Sequence, residues 1–89
     1  MGWRVEFTDK ARRQLRKLHP DVQARILRFL RERVASVDDP RFLSTKLAGE
    51  LSGFCRFRIG DYRLICQLDE GALTVLVVGL GHRRMVYQL

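Results

Sequence analysis

Apolar and polar residues alternate along Trp-Arg-Val-Glu-Phe at positions 3–7, a period of two that predicts a short strand with Trp3, Val5 and Phe7 on one face. Thr8-Asp9 then offers a helix N-cap. Ala11, Leu15 and Leu18 recur at helical spacing, while Arg12, Arg13, Arg16 and Lys17 turn away from them, so a first amphipathic helix follows. His19-Pro20-Asp21 breaks it and starts a second, because proline suits a first helical turn and biases its predecessor away from helical dihedrals. Val22, Ile26, Phe29, Leu30, Val34 and Val37 carry that helix's apolar stripe, with Arg33 interrupting it on a stem long enough to snorkel. Asp38-Asp39-Pro40 closes the helix, and the period changes from 3.6 back to two at Phe54. Residues 54–59, 62–69 and 72–80 read as three strands separated by Gly60-Asp61 and Glu70-Gly71.

The order β-α-α-β-β-β predicts an α+β fold. In it a helical hairpin covers one face of a mostly antiparallel, four-stranded sheet and the other face stays open. A two-residue turn at Gly60-Asp61 pairs residues whose numbers sum to 121: Ile59 with Tyr62, Arg58 with Arg63, Phe57 with Leu64, Arg56 with Ile65, Cys55 with Cys66. Side chains alternate, so Cys55, Phe57, Ile59, Tyr62, Leu64 and Cys66 face the helices. Arg56, Arg58, Arg63 and Ile65 face outward. Arg58 and Arg63 then oppose each other directly, a like-charge pair that folding alone does not require. The last strand returns its C-terminal end towards the Gly60-Asp61 turn, bringing His82, Arg83, Arg84 and Tyr87 towards the hairpin arginines.

Composition narrows the picture. The chain has 89 residues, 46% of them hydrophobic, which suits one folded domain over 1–89 rather than a disordered basic tail. Neither a membrane-length apolar run nor the apolar core of a signal peptide is visible, so a cytoplasmic protein with no membrane partner is expected. Two cysteines and two histidines, scattered, suggest neither a disulfide framework nor a metal centre, and no cofactor is expected. Cys55 and Cys66 read as buried thiols. The formal charge of +7 fits a polyanionic partner such as nucleic acid, or an acidic protein that masks the charge. Residues 1–40 carry ten Lys/Arg and six Asp/Glu and residues 41–89 seven and four, so neither part is a detached basic arm.

These residues resemble the RelE/ParE superfamily of bacterial and archaeal toxins, and its RelE branch in particular. The resemblance covers nearly the whole chain. It is carried by Lys46-Leu47-Ala48-Gly49, by Arg56-Phe57-Arg58-Ile59-Gly60-Asp61-Tyr62-Arg63-Leu64, and by the ending Gly81-His82-Arg83-Arg84 to Tyr87. It implies a type II toxin that cuts mRNA in the ribosomal A site without metal, with the ribosome and mRNA as targets and a cognate RelB-like antitoxin as partner. It further implies that Arg63 and Arg83 stabilise phosphate and that Arg56 and Arg58 stand where RelE proteins often carry lysines. Tyr87 would stack on or activate the substrate, His82 would occupy a basic or histidine position, and Lys46 and Arg84 would contact RNA. A ParE-like toxin that binds DNA gyrase without catalysis is the alternative, and a plain RNA-binding module a third.

Metal-free cleavage needs a base for the 2′-hydroxyl, donors for the crowded phosphorane and an acid for the leaving 5′-oxygen. Arginine suits the second task through its planar, paired donors. It cannot serve as the base, since it is never deprotonated in proteins, so Arg56 and Arg58 can lend only charge. Tyr87 and His82 remain open for the proton transfers, with Glu50 behind them. The helix arginines Arg12, Arg13, Arg16, Arg25 and Arg28 are either a solvated face or contacts to rRNA phosphates.

Overall fold

The computed structural model describes residues 2–84, and the predicted site residue Tyr87 lies outside them. Strand β1 (Arg4–Phe7) leads into helix α1 (Asp9–Arg16) through Thr8, whose extended backbone and Oγ1 form the N-cap, accepting the Ala11 N–H at 3.1 Å. Asp9 in the first turn and Arg13 and Arg16 in the last oppose the helix dipole in the favourable sense. Helix α2 (Pro20–Phe29) begins with proline in its first turn, and His19 caps it as Nδ1 accepts the Asp21 N–H at 3.1 Å.

A single π turn, Leu30–Val34, extends α2. It keeps Leu30 and Val34 in the core and delivers the Ala35 carbonyl to the Trp3 N–H at 2.9 Å, while Trp3 Nε1 donates to the Asp38 carbonyl at 3.0 Å. Trp3 thereby ties the exit of α2 to the start of β1. The remaining strands are β2 (Thr45–Lys46), β3 (Cys55–Ile59), β4 (Tyr62–Asp69) and β5 (Thr74–His82). They form one sheet ordered β1-β5-β4-β3-β2, with β1 parallel to β5 and every other pair antiparallel.

The helices cover the face formed by Phe57, Leu64, Cys66, Val75 and Val77, and Ala11, Leu15, Ile26, Leu30 and Val34 complete the core. Burial pushes both thiols above their ordinary range, Cys66 the further, and both are free. No helix among the described residues is long and apolar enough to cross a membrane.

Two features depart from the sequence expectation. The sheet has five strands rather than four, because Thr45 and Lys46 pair with Arg56 and Cys55, and two residues are too few to show a period. The last strand begins at Thr74, since the Asp69 carboxylate accepts the Ala72 N–H at 3.1 Å and Leu73 takes a left-handed φ of 48°, widening the turn beyond Glu70-Gly71.

Candidate functional site

The β3–β4 hairpin follows the expected register at all five pairs, from Ile59↔Tyr62 to Cys55↔Cys66. Gly60 takes φ 59°, which a two-residue turn demands at its first central position and only glycine adopts without cost. Arg58 and Arg63 are therefore directly opposed on the face away from the helices. Their proximity costs about a few tenths of a kcal/mol.

What joins β5 to this pair is a bulge. Cys66 pairs with Val77 but Ile65 pairs with Gly79, so Val78 is the extra residue. Before it, Val75 and Val77 face the helices. After it, the alternation is inverted: Leu80 and His82 face the helices, and Gly79 and Gly81 lie beside Ile65 and Arg63 on the opposite face. Without the bulge, Arg83 would share the parity of Val75 and Val77. With it, Arg83 continues the parity of Gly81, and its N–H donates to the Asp61 carbonyl at 2.8 Å, extending the ladder past the strand end. Helix α1 satisfies the displaced backbone: Gln14 Oε1 accepts the Leu80 N–H at 3.0 Å and Thr8 Oγ1 donates to the Val78 carbonyl at 3.5 Å.

Two rows of side chains thus cross the outer face. One runs Thr45, Arg56, Ile65, Gly79, and the other Arg58, Arg63, Gly81, with neighbouring strands about 4.8 Å apart. The glycines make β5 bare backbone there, and a β-carbon built on Gly81 meets nothing within 4 Å. Packing inside the described chain does not require that glycine.

The outer face is less open than the sequence suggests. Arg58, Arg83 and Arg84 are exposed, but Arg56 is half-buried, Ile65 is fully buried and Arg63 is only 9% exposed. Arg63 folds back over its own turn, where Nη1 donates to the Gly60 carbonyl at 2.8 Å and to the Tyr62 carbonyl at 3.0 Å. Those bonds fix the plane of its guanidinium.

Two predicted residues are not brought to this face. His82 pairs with Tyr62, and the rings meet edge to face with centroids 5.8 Å apart, on the helix side of the sheet; the bulge is the reason. Lys46 opposes Cys55, so Thr45 rather than Lys46 shares the parity of Arg56. Lys46 instead lines a separate cleft with Phe42, Leu47 and Phe54.

The sequence groups Arg25 with the other helix arginines and names Gly81 only within the Gly81-His82-Arg83-Arg84 ending, and neither is thereby tied to the hairpin turn. Arg25, on α2, reaches the hairpin turn: a β-carbon built on Gly60 would lie 2.7 Å from its Nη2. Helical periodicity places Arg25 on a polar face but cannot say that a turn from the sheet ends there. A Gly-Leu-Gly run at 79–81 is visible in the sequence, and its meaning depends on the bulge.

Arg25, Arg58, Arg83 and Arg84 form no ion pair with any described acid, and Asp61 is the one acidic residue in the turn they surround. Such a collar can bind a polyanion and neutralise a phosphate on which charge develops.

Comparison with known proteins agrees with this architecture. Residues 5–87 match the family described as ParE toxin of type II toxin-antitoxin system, parDE. Toxin RelG of Mycobacterium tuberculosis is 33% identical over 88 residues, covering 99% of both chains, and toxin RelE of the same organism is 26% identical, covering 98% of this chain and 88% of its own. In the crystal structure of the toxin-antitoxin complex RelBE2 from M. tuberculosis, the matching chain is 32% identical with a TM-score of 0.85, covering 93% of each. The archaeal RelE-RelB complex of Pyrococcus horikoshii gives 26% identity and a TM-score of 0.69, covering 96% of this chain and 99% of its own. With a family match over most of its length and a relative at one-third identity throughout, this chain belongs to the RelE/ParE family of type II toxin–antitoxin toxins.

Proposed function

We propose that the protein is a metal-independent endoribonuclease of the RelE type, which cuts mRNA in the ribosomal A site and is neutralised by a cognate RelB-like antitoxin in the cytoplasm. The observation that carries this reading is the bulge-dependent meeting of Arg58, Arg63 and Arg83 around one hairpin turn, beside a strand stripped of side chains by Gly79 and Gly81. A gyrase-binding surface has no need of a phosphate-neutralising cluster.

In the reaction, the 2′-hydroxyl attacks the adjacent phosphorus and the bond to the 5′-oxygen breaks, leaving a 2′,3′-cyclic phosphate and a free 5′-hydroxyl. Arg63, its fork held by the Gly60 and Tyr62 carbonyls, and Arg83, whose backbone is held by Asp61, neutralise the pentacovalent intermediate. A preorganised donor is worth most because it does not reorient as charge develops. Arg56 and Arg58 add charge without exchanging protons. Tyr87, the residue that the family resemblance offers for proton transfer, takes the proton of the 2′-hydroxyl, since His82 turns to Tyr62 on the other face, and solvent water protonates the departing 5′-oxygen. The solved relatives named RelBE and RelE-RelB complexes support an antitoxin as partner.

Primer extension on an mRNA undergoing translation tests the reading. Cuts at codon-spaced positions are expected from the wild type, and both Arg63→Ala and Arg83→Ala should lose most of the cutting. The match to the ParE family favours a second reading, a toxin that binds gyrase. No cuts on translating ribosomes together with inhibited supercoiling would select it.

A further inference from the structure

Three of the arginines at the hairpin turn come from the sheet, and the fourth comes from the helical layer. A β-carbon at Gly60 would lie 2.7 Å from Arg25 Nη2 and 3.6 Å from its Cζ, so the guanidinium rests against the bare α-carbon of the turn. Arginines meet the turn from three directions, while Gly60 and Asp61 stay exposed. Arg63 covers its carbonyls at Gly60 and Tyr62, Arg83 holds the Asp61 carbonyl, and Arg25 covers Gly60 from α2.

The placement of this charge argues for a ligand. Arg25 has no described acid within ion-pair distance, and it meets the same turn that Arg63 and Arg83 bond. Its side chain is exposed, so a phosphate can reach it from solvent. Arg25 joins a group of arginines whose charge one phosphate cannot satisfy. The remaining charge suits the next phosphates of a continuous strand.

We infer that Arg25 is an RNA-contact residue. It binds a backbone phosphate flanking the one that is cut, on the helix side of the Gly60 turn, and so continues the track begun by Arg58, Arg63 and Arg83. This rests on the RNA reading above and adds a residue that contributes to binding rather than to the chemical step.

The experiment compares the wild type, Arg25→Gln, Arg25→Lys and Arg31→Gln. Arg31 carries the same charge on the turn that extends α2, six residues further along, and its removal controls for net charge. The probe is a short single-stranded oligoribonucleotide, and binding is measured across a salt series alongside cutting on translating ribosomes. Removing one phosphate contact from a single strand should reduce the slope of log affinity against log salt by about 0.7 and weaken binding at moderate salt roughly two- to fivefold. These changes are expected for Arg25→Gln and not for Arg31→Gln, with Arg25→Lys close to the wild type. On ribosomes, KM should rise while kcat holds. An unchanged slope for Arg25→Gln, or an equal change for Arg31→Gln, overturns the inference. A wild type that binds the oligonucleotide but never cuts defeats the nuclease reading and leaves the salt slope to decide the role of Arg25.

Discussion

At the scale of single residues, Arg63 and Arg83 carry the same proposed chemistry but different structural burdens. Arg63 is nearly buried and its Nη1 serves two carbonyls of its own turn. Truncation to alanine leaves those acceptors without that donor, at about 1–2 kcal/mol, or several degrees of melting temperature in a domain this small. Arg83 is exposed, and its backbone N–H bond to Asp61 survives a side-chain deletion. The Arg83→Ala variant should therefore melt within about 0.5 kcal/mol of the wild type. Thermal unfolding of the two variants side by side checks this. A larger loss in Arg83→Ala than in Arg63→Ala would contradict the assigned geometry. If the expected order holds, lost cutting in Arg83→Ala reports on the handling of RNA and not on folding.

At the scale of elements, the bulge at Val78 decides which residues of β5 reach the arginine face, and α1 holds it in place. Gln14 Oε1 is the acceptor for the Leu80 N–H, a group that β1 cannot reach because it ends at Phe7. Gln14→Leu keeps most of the side-chain volume and removes the acceptor. The amide of Leu80 should then exchange with solvent faster, about tenfold for each 1.4 kcal/mol of local protection lost, while amides of the β3–β4 hairpin change little. Hydrogen exchange resolved by NMR measures this, and unchanged protection at Leu80 would remove Gln14 from the role.

The same bulge marks the boundary of what the sequence discloses. The hairpin register was legible to the residue because Gly60-Asp61 admits one turn and the alternation of Phe57, Ile59, Tyr62 and Leu64 admits one assignment of faces. Thr8 was legible as a cap because its side chain acts on its own neighbours. The segment from Val77 to Gly81 was not, since Val-Val-Gly-Leu-Gly reads equally well in either phase and no side chain marks the skipped position. His82 is expected beside the arginines for that reason. Lys46 has no face that its sequence discloses, because a two-residue strand has no pattern of its own and takes its parity from β3.

At the scale of the whole molecule, the outer face is graded in charge along the strands. Arg58, Arg63, Arg83 and Arg84 lie towards the Gly60 turn, whereas the far end presents Glu6, Asp69 and Glu70 around a cleft, with Arg4 3.8 Å from Glu6 and Arg41 paired with Glu70. The eight residues of β4 separate these ends by about 23 Å, at roughly 3.3 Å for each of seven steps. That is nearly three Debye lengths at physiological salt, about 8 Å, and less than one at 0.01 M, about 30 Å. A polyanion bound at the arginine end should therefore ignore the acidic end under physiological conditions and feel it only at low salt. The pair Glu6→Gln and Asp69→Asn removes two negative charges and takes the net from +7 to +9. Asparagine keeps a side-chain oxygen for the Ala72 N–H, so the turn after β4 should persist. RNA affinity at about 0.15 M should match the wild type and rise only as salt falls towards about 0.01 M, whereas neutralising Arg83 and Arg84 should weaken binding at both. A rise at physiological salt equal to that at low salt would mean that bulk charge, and not the cluster at the Gly60 turn, governs binding.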